Sequence, residues 1–127
     1  MRVDIARKGL AAVLSVRGSL HEGNIRALNQ AVRSARQARV VLIVLDLGHA
    51  DAIDAAGVRA VLEIQANGRE DRWDLVVIPP SENVAIGPFA DQELRRQLCL
   101  LDREDASYLI DFYAKGPLHR SESWPWQ

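Results

Sequence analysis

Acidic and histidine side chains gather around one short stretch of the chain, and they are the residues that could do chemistry. His49 and Asp51 stand two positions apart, Asp54 follows them, and His21 comes earlier in the chain. Imidazole and carboxylate groups serve as metal ligands and as general acids or bases. A clear third and fourth metal ligand is missing, so solvated loop residues are the simpler interpretation. We predict no metal site and no cofactor.

Nucleophilic catalysis and nucleotide binding each require a sequence pattern that this chain lacks. Ser19, His21 and an aspartate are the residue types of a serine hydrolase, but no G-x-S-x-G motif occurs and Ser19 is predicted to end a strand. Neither a G-x-G-x-x-G motif nor a P-loop is present. We therefore predict no catalytic residues and no enzyme activity, with an enzyme that uses the acidic and histidine side chains as the weakest alternative.

The composition predicts one domain in a reducing compartment. The chain has 127 residues, 48% of them hydrophobic, and a net charge of −1, which gives no basic surface for nucleic acid. One cysteine excludes a disulfide framework, and Cys99 is predicted to be a small buried hydrophobe in a cytoplasmic protein. The N-terminus lacks the apolar core of a signal peptide, and the longest apolar run, Val40 to Leu45, is too short to cross a membrane. We expect no membrane insertion.

Hydrophobic periodicity places the acidic stretch between a buried strand and a helix. The run from Val40 to Leu47 is apolar at seven of eight positions without alternation, which is typical of a parallel strand covered on both faces. The predicted strands are 3–6, 10–18 (ended by Gly18), 40–47, 74–80 and a short one in 98–102. The first predicted helix starts near Asn24, and the second runs from just after Asp54 to Asn67–Gly68. The third runs from Phe89 to Leu98. The fourth lies in 103–113, where one face is formed by Ala106, Leu109, Ile110 and Tyr113. The order ββαβαβαβα predicts an α/β fold, a mixed sheet flanked by about four helices.

The turn before the second helix has the features of a helix start and lacks a reactive group. Asp54 suits the N-cap position, where a carboxylate accepts hydrogen bonds from the first turn and faces the positive end of the helix dipole. Ala55 and Ala56 are small, and Gly57 allows another part of the protein to approach closely. On this pattern alone, a cap and tight packing explain the turn.

The stretch VVLIVLDLGHADAIDAAGVRAVLEI resembles the STAS domain core of bacterial anti-sigma factor antagonists. That family has an apolar strand, Asp-Leu, a short loop, an apolar residue, and then Asp-Ser-Ser-Gly-Leu at a helix start. Asp46–Leu47 matches the Asp-Leu, Ile53 the apolar residue, Asp54 the second Asp, Gly57 the Gly, and Val58 the final Leu. The flanking stretches VLSVRGSL, DLVVIPPSENV and LLDREDASYLI are also similar, so the resemblance covers residues 3 to 113 and implies a single STAS-like domain, residues 1–115, with a tail, 116–127.

The resemblance also implies a phosphorylation switch, which this chain has lost at the usual position. In such antagonists a partner anti-sigma factor that is also a kinase phosphorylates the second serine, and the unphosphorylated form binds that partner. Ala55 and Ala56 replace both serines here, Ala56 standing at the acceptor position, and the chain contains no threonine. A methyl group cannot accept phosphate, so we predict no phosphorylation at this turn.

We therefore predict a non-catalytic interaction module that binds a kinase-type anti-sigma factor. The predicted surface is the turn, the following helix and two rim loops, 18–21 and 49–51. Its residues are Asp54, Ala55, Ala56, Gly57, Val58, Arg59, Leu62, Ser19, His21, His49 and Asp51. The alternatives are a STAS accessory subunit of a lipid or anion transporter and a scaffold of a sensory complex. Trp124 and Trp126 of the tail are expected to rest on the domain, with docking to a partner or support of a homodimer as alternatives.

Overall fold

The computed structural model describes residues 1–81 and 96–114, and these form an α/β domain. The strands are β1 (Arg2–Lys8), β2 (Ala11–Leu20), β3 (Leu42–Asp46), β4 (Ala50–Ile53) and β5 (Asp74–Ile78). The α-helices are α1 (Ile25–Gln37), α2 (Ala55–Asp71) and α3 (Arg103–Ala114), and a 3₁₀ turn at Glu22–Asn24 precedes α1. The predicted fold class is confirmed, and so is the helix start at Asn24, which is the N-cap of α1.

The sheet is mixed, with the fully buried β3 at its centre. The strand order is β1-β2-β3-β5, where β1 is antiparallel to β2 and the pairs β2–β3 and β3–β5 are parallel. Alternate β3 residues point to opposite faces, with Ile43 in one core cluster and Val44 in the other. The first cluster contains the buried faces of α1 and α2, and the second contains that of α3. Both faces of the central strand are therefore covered, as its unbroken apolar run predicts.

Two predictions about strands were wrong. The predicted order has no strand between the central strand and the second helix, but β4 lies there and pairs in parallel with the end of β2. The predicted last strand in 98–102 is reduced to a single bridge, Leu100 to Val77. The segment leaves the edge of β5 after two backbone bonds, Val77 N to the Cys99 carbonyl and Leu101 N to the Val77 carbonyl, and then α3 begins at Arg103.

Glycine was twice misread as the end of an element. Strand β2 continues past Gly18 to Leu20, because a register shift at Gly18, where φ is +93°, lets the strand pair with β4. Helix α2 continues past Gly68 to Asp71 and ends at Arg72 in the left-handed conformation. A Cβ on Gly68 would lie 2.8 Å from the Trp73 carbonyl oxygen, so this glycine allows the chain that follows α2 to pack closely against the helix.

The remaining predictions concern the C-terminal third of the chain. Helix α3 buries Ala106 and half-buries Leu109, Ile110 and Tyr113, as predicted. Cys99, expected to be buried, is exposed, because Leu98 on one side of it is buried and neighbouring side chains of an extended segment point in opposite directions. Of the helix predicted from Phe89 to Leu98, residues 89–95 lie outside the described residues, as does the tail 116–127. Among the residues described, no helix is long and apolar enough to cross a membrane.

Candidate functional site

Helix α2 begins at the edge of the sheet where β2 and β4 both end. These two strands run in parallel, with Ser19 opposite Ala52 and Leu20 opposite Ile53. The backbone N–H of Asp54, directly after β4, donates to the carbonyl oxygen of Leu20 at 3.2 Å. The pairing with β2 therefore fixes the position of the turn, and it brings the end of β2 beside the first turn of α2.

Asp54 caps α2, as the sequence predicts. Its backbone is extended, with φ −93° and ψ −179°, and its side-chain Oδ1 accepts a hydrogen bond from the Gly57 N–H at 2.8 Å. The Asp54 carbonyl accepts the first helical bond, from the Val58 N–H at 3.1 Å. One of the free donors of the first turn is thus satisfied, and the carboxylate lies at the positive end of the helix dipole.

Gly57 allows the first turn of α2 to lie directly on the end of β2. A Cβ at this position would lie 2.9 Å from the Leu20 carbonyl oxygen, 3.0 Å from Leu20 Cγ and 3.2 Å from Ile53 Cγ2. The nearest of these atoms belongs to the backbone of a paired strand, so it cannot move aside cheaply. The glycine of the motif therefore sets the distance between helix and sheet.

The predicted surface residues divide into exposed and buried ones. Gly57 and Val58 are buried, Val58 with only 3% of its surface accessible, so they support the turn from below. Ser19, Ala56 and Leu62 are half-buried. The exposed residues are His21, His49, Asp51, Asp54, Ala55 and Arg59. The outer side of the helix start is therefore formed by a carboxylate, a methyl group and an arginine, with the two histidines and Asp51 beyond it.

His21 and the backbone carbonyl of Ser19 take part in a local cap before α1. His21 Nδ1 accepts from the Gly23 N–H at 3.0 Å, and the His21 N–H donates to Asn24 Oδ1 at 2.9 Å. The Asn24 amide nitrogen donates to the Ser19 carbonyl at 2.6 Å. The bonds of His21 belong to a capping box on the 3₁₀ turn before α1, and the bond from Asn24 ties this turn to the end of β2. The segment 18–21, predicted to be a rim loop, is the end of β2 followed by His21. In the second predicted rim loop, 49–51, both Ala50 and Asp51 belong to β4.

No metal-ligating cluster forms among the residues that the structure describes. Three or more histidine, cysteine, aspartate or glutamate side chains do not converge anywhere in 1–81 and 96–114. His49 and Asp51 are exposed, and one ring nitrogen of His21 already accepts a hydrogen bond. What the described part of the site offers is a capped helix start with small side chains, a surface suited to contact with another protein.

The Asp-Leu of the motif has a structural role that the sequence did not reveal. The carboxylate of Asp46, with 4% of its side chain accessible, accepts from both terminal nitrogens of Arg103 at 2.8 and 3.0 Å and from the Gly48 N–H at 2.9 Å. These hydrogen bonds raise the pKa of the Arg103 guanidinium against an opposing effect of desolvation. The pair joins the end of β3 to the start of α3. A lone acid at the end of an apolar strand was the available signal, but its partner lies 57 positions away.

The comparisons with known proteins agree with this architecture. A family model described as "Mlab, STAS domain" matches residues 3–95. An anti-sigma factor antagonist from Mycobacterium paratuberculosis is 19% identical with a TM-score of 0.68, over 87% of this chain and 93% of its own. The anti-sigma factor antagonist SpoIIAA in its unphosphorylated form is 14% identical with a TM-score of 0.66, over 91% of this chain and 100% of its own. At these identities the likeness shows the fold alone.

A third solved structure is similar to a smaller part of this chain. Mglu is 25% identical over 62% of this chain with a TM-score of 0.56, and the match spans 20% of Mglu's own length. No curated protein matches the chain. The family model covers most of the described sheet, α1 and α2, including the whole turn at Asp54–Gly57.

Proposed function

The chain belongs to the STAS domain family, and we propose on this premise that it is a non-catalytic docking module that binds a kinase-type anti-sigma factor. The observation that carries the proposal is the turn at Asp54. Its cap and its glycine contact are intact, while both hydroxyl positions of the antagonist motif are alanine. The support that holds the helix start in place has thus been kept, and the group that would switch it is missing.

The proposed contact surface consists of the accessible part of the turn and helix. Asp54, Ala55 and Arg59 form its centre, with Ala56 and Leu62 half-buried beside them. Ser19, His21, His49 and Asp51 form the rim. The small side chains leave the backbone of the first turn open to a partner, and Arg59 adds a cation one turn further along the helix.

The lost hydroxyl groups support a permanently binding form. A phosphate on residue 56 would add a charge of about −1.5 to −2 within the contact surface and would weaken it by repulsion and desolvation. Ala55 and Ala56 cannot accept that phosphate. We propose that this module stays in the binding-competent state, so that control of the complex lies with the partner or with the amount of this protein.

A charge placed at residue 56 tests the surface. Ala56→Asp puts a carboxylate where the family's acceptor would stand, and the helix dipole tolerates an acid in the first turn. We expect partner binding to weaken by about tenfold or more, which corresponds to about 1.4 kcal/mol. Binding is measured by titration calorimetry with the partner isolated from the native cell. Ser107→Asp, which adds the same charge to an exposed position of α3 on the opposite face of the sheet, is the matched control.

The identity of the isolated partner tests the rest of the proposal. A small ATP-binding kinase in the pull-down would support it. An ATPase subunit of a transporter would instead favour the accessory-subunit alternative, which uses the same helix start. Phosphate transfer from ATP to this chain by the isolated kinase would contradict a switch-free module. Ala56→Asp binding as tightly as the parent chain would place the contact surface elsewhere.

A further inference from the structure

The outer face of α1 is a row of exposed basic and polar side chains. Arg26, Gln30 and Arg33 are all exposed and lie at helical spacing i, i+4 and i+7 on one side. The helix contains no acidic residue. Arg36, on the inner side, donates to the Val40 carbonyl and lies over the Trp73 ring. Within residues 1–81 and 96–114, neither Arg26 nor Arg33 forms an ion pair.

The outer face of α3 carries the opposite charge at the same spacing. Glu104, Tyr108 and Asp111 are exposed and again stand at i, i+4 and i+7, with 72% of the Tyr108 surface accessible. Asp105 adds a further exposed acid. Arg103, the basic residue within this helix, is bound to Asp46 beneath it. The accessible side of α3 is therefore acidic, with an aromatic ring at its centre.

These two faces cannot meet within one molecule. The buried side of α1 belongs to the core cluster on one face of the sheet, and the buried side of α3 belongs to the cluster on the other. Their outer sides therefore point away from each other across the domain. A contact between the basic and the acidic face requires a second molecule.

We propose that α1 of one copy docks against α3 of a second copy. Seven residues of α-helix span about 10 Å, so the Arg26–Arg33 and the Glu104–Asp111 separations match. Aligning them places each arginine beside a carboxylate and Gln30 beside the Tyr108 ring. The contact is heterologous, so a pair of copies still has one free basic face and one free acidic face, and the association continues head to tail. It leaves the Asp54 turn of α2 uninvolved.

A reciprocal charge exchange tests this contact. The α1 variant carries Arg26→Glu and Arg33→Glu, and the α3 variant carries Glu104→Arg and Asp111→Arg. Sedimentation equilibrium of the full chain at low salt measures the weight-average mass as a function of concentration, starting from 14.1 kDa for one chain. Circular dichroism and urea unfolding check that each variant is folded, which its exposed substitutions should allow.

We expect the mass of the parent chain to rise with concentration at low salt and to fall back to one chain at about 1 M salt, where the Debye length is about 3 Å. Each variant alone should remain a single chain, because both of its faces then have the same charge. An equimolar mixture should associate again, since each contact then joins opposite charges.

Three results would overturn the proposal. The first is a parent chain that remains single at low salt up to millimolar concentration. The second is association that both variants retain, which would place the contact on other residues. The third is a mixture of folded variants that stays dissociated, which would show that α1 and α3 do not meet. Ala66→Glu, at an exposed position of α2 outside the proposed contact, is the control and should leave the parent association within about twofold.

Discussion

Replacement of Arg103 by leucine tests how the start of α3 is held on the sheet. Arg103→Leu keeps a side chain of similar bulk next to the sheet but removes both hydrogen bonds to the Asp46 carboxylate. That carboxylate is left with the Gly48 N–H as its remaining hydrogen-bond donor among the described contacts, and its side chain is 4% accessible. The substitution therefore leaves a buried negative charge short of donors.

The size of the expected loss in unfolding free energy follows from the exposure of the Asp46 and Arg103 side chains. Leaving a buried polar group unsatisfied costs about 1–3 kcal/mol, and removal of one partner of a fully buried ion pair costs about 3–5 kcal/mol. The Arg103 side chain is 57% accessible, so water can reach the vacated position and the lower range applies. We expect Arg103→Leu to lower the free energy of unfolding by about 1–3 kcal/mol, which moves the urea midpoint by about 1 M.

The direction of the pKa shift of Arg103 determines the pH range over which this loss of stability is expected. The hydrogen bonds to Asp46 raise the pKa of Arg103. A raised pKa stabilises the folded state at every pH below the unfolded-state value, and this contribution disappears only as the pH rises through the folded-state value. Both lie in strongly alkaline solution, so the loss on Arg103→Leu should be the same at about pH 6 and about pH 9.

Urea unfolding followed by far-ultraviolet circular dichroism measures this loss. Arg17→Leu is the matched control, because Arg17 pairs with Asp4 at 3.2 Å while both side chains are largely accessible, and such pairs contribute about 0–1 kcal/mol. If Arg103→Leu unfolded at the same urea concentration as the parent chain, or lost no more than Arg17→Leu, the Asp46–Arg103 pair would not hold α3 to β3 as described.

The remaining predictions concern the turn and the N-terminal strand. Asp54→Ala removes the hydrogen bond to the Gly57 N–H and should lower the free energy of unfolding, measured in urea, by about 1 kcal/mol. An unchanged free energy of unfolding would contradict the capping role. Gly57→Ala gains about 1 kcal/mol of helix propensity, but the contact at 2.9 Å with the Leu20 carbonyl should reverse this gain, so a more stable variant would contradict the packing. Hydrogen bonding from Arg2 lowers the pKa of Asp4. The stability that this pair contributes is present above the unfolded-state pKa of Asp4, and it is lost as the pH falls through the folded-state pKa of Asp4. Asp4→Asn should therefore flatten the acid side of the stability curve below about pH 4, and an unchanged curve would refute this assignment.

Features encoded by local pattern were predicted well. The unbroken apolar run at β3, the capping Asp54 and the amphipathic spacing of α3 each depend on neighbours in sequence, and each is present as predicted. The short β4 has no such signal. Its sequence, Ala-Asp-Ala-Ile, forms a strand because the bulge at Gly18–Ser19 extends β2 far enough to pair with it.

The same distinction applies to the candidate site. The sequence by itself determined that a capped helix begins at Asp54 and that its first turn has no hydroxyl group. Only the tertiary structure decided that Gly57 and Val58 lie beneath the surface, that Asp46 holds Arg103, and that the charged faces of α1 and α3 point in opposite directions. Caps and helical faces follow from residues within a few positions of each other, whereas burial and pairing depend on residues brought together from distant parts of the chain.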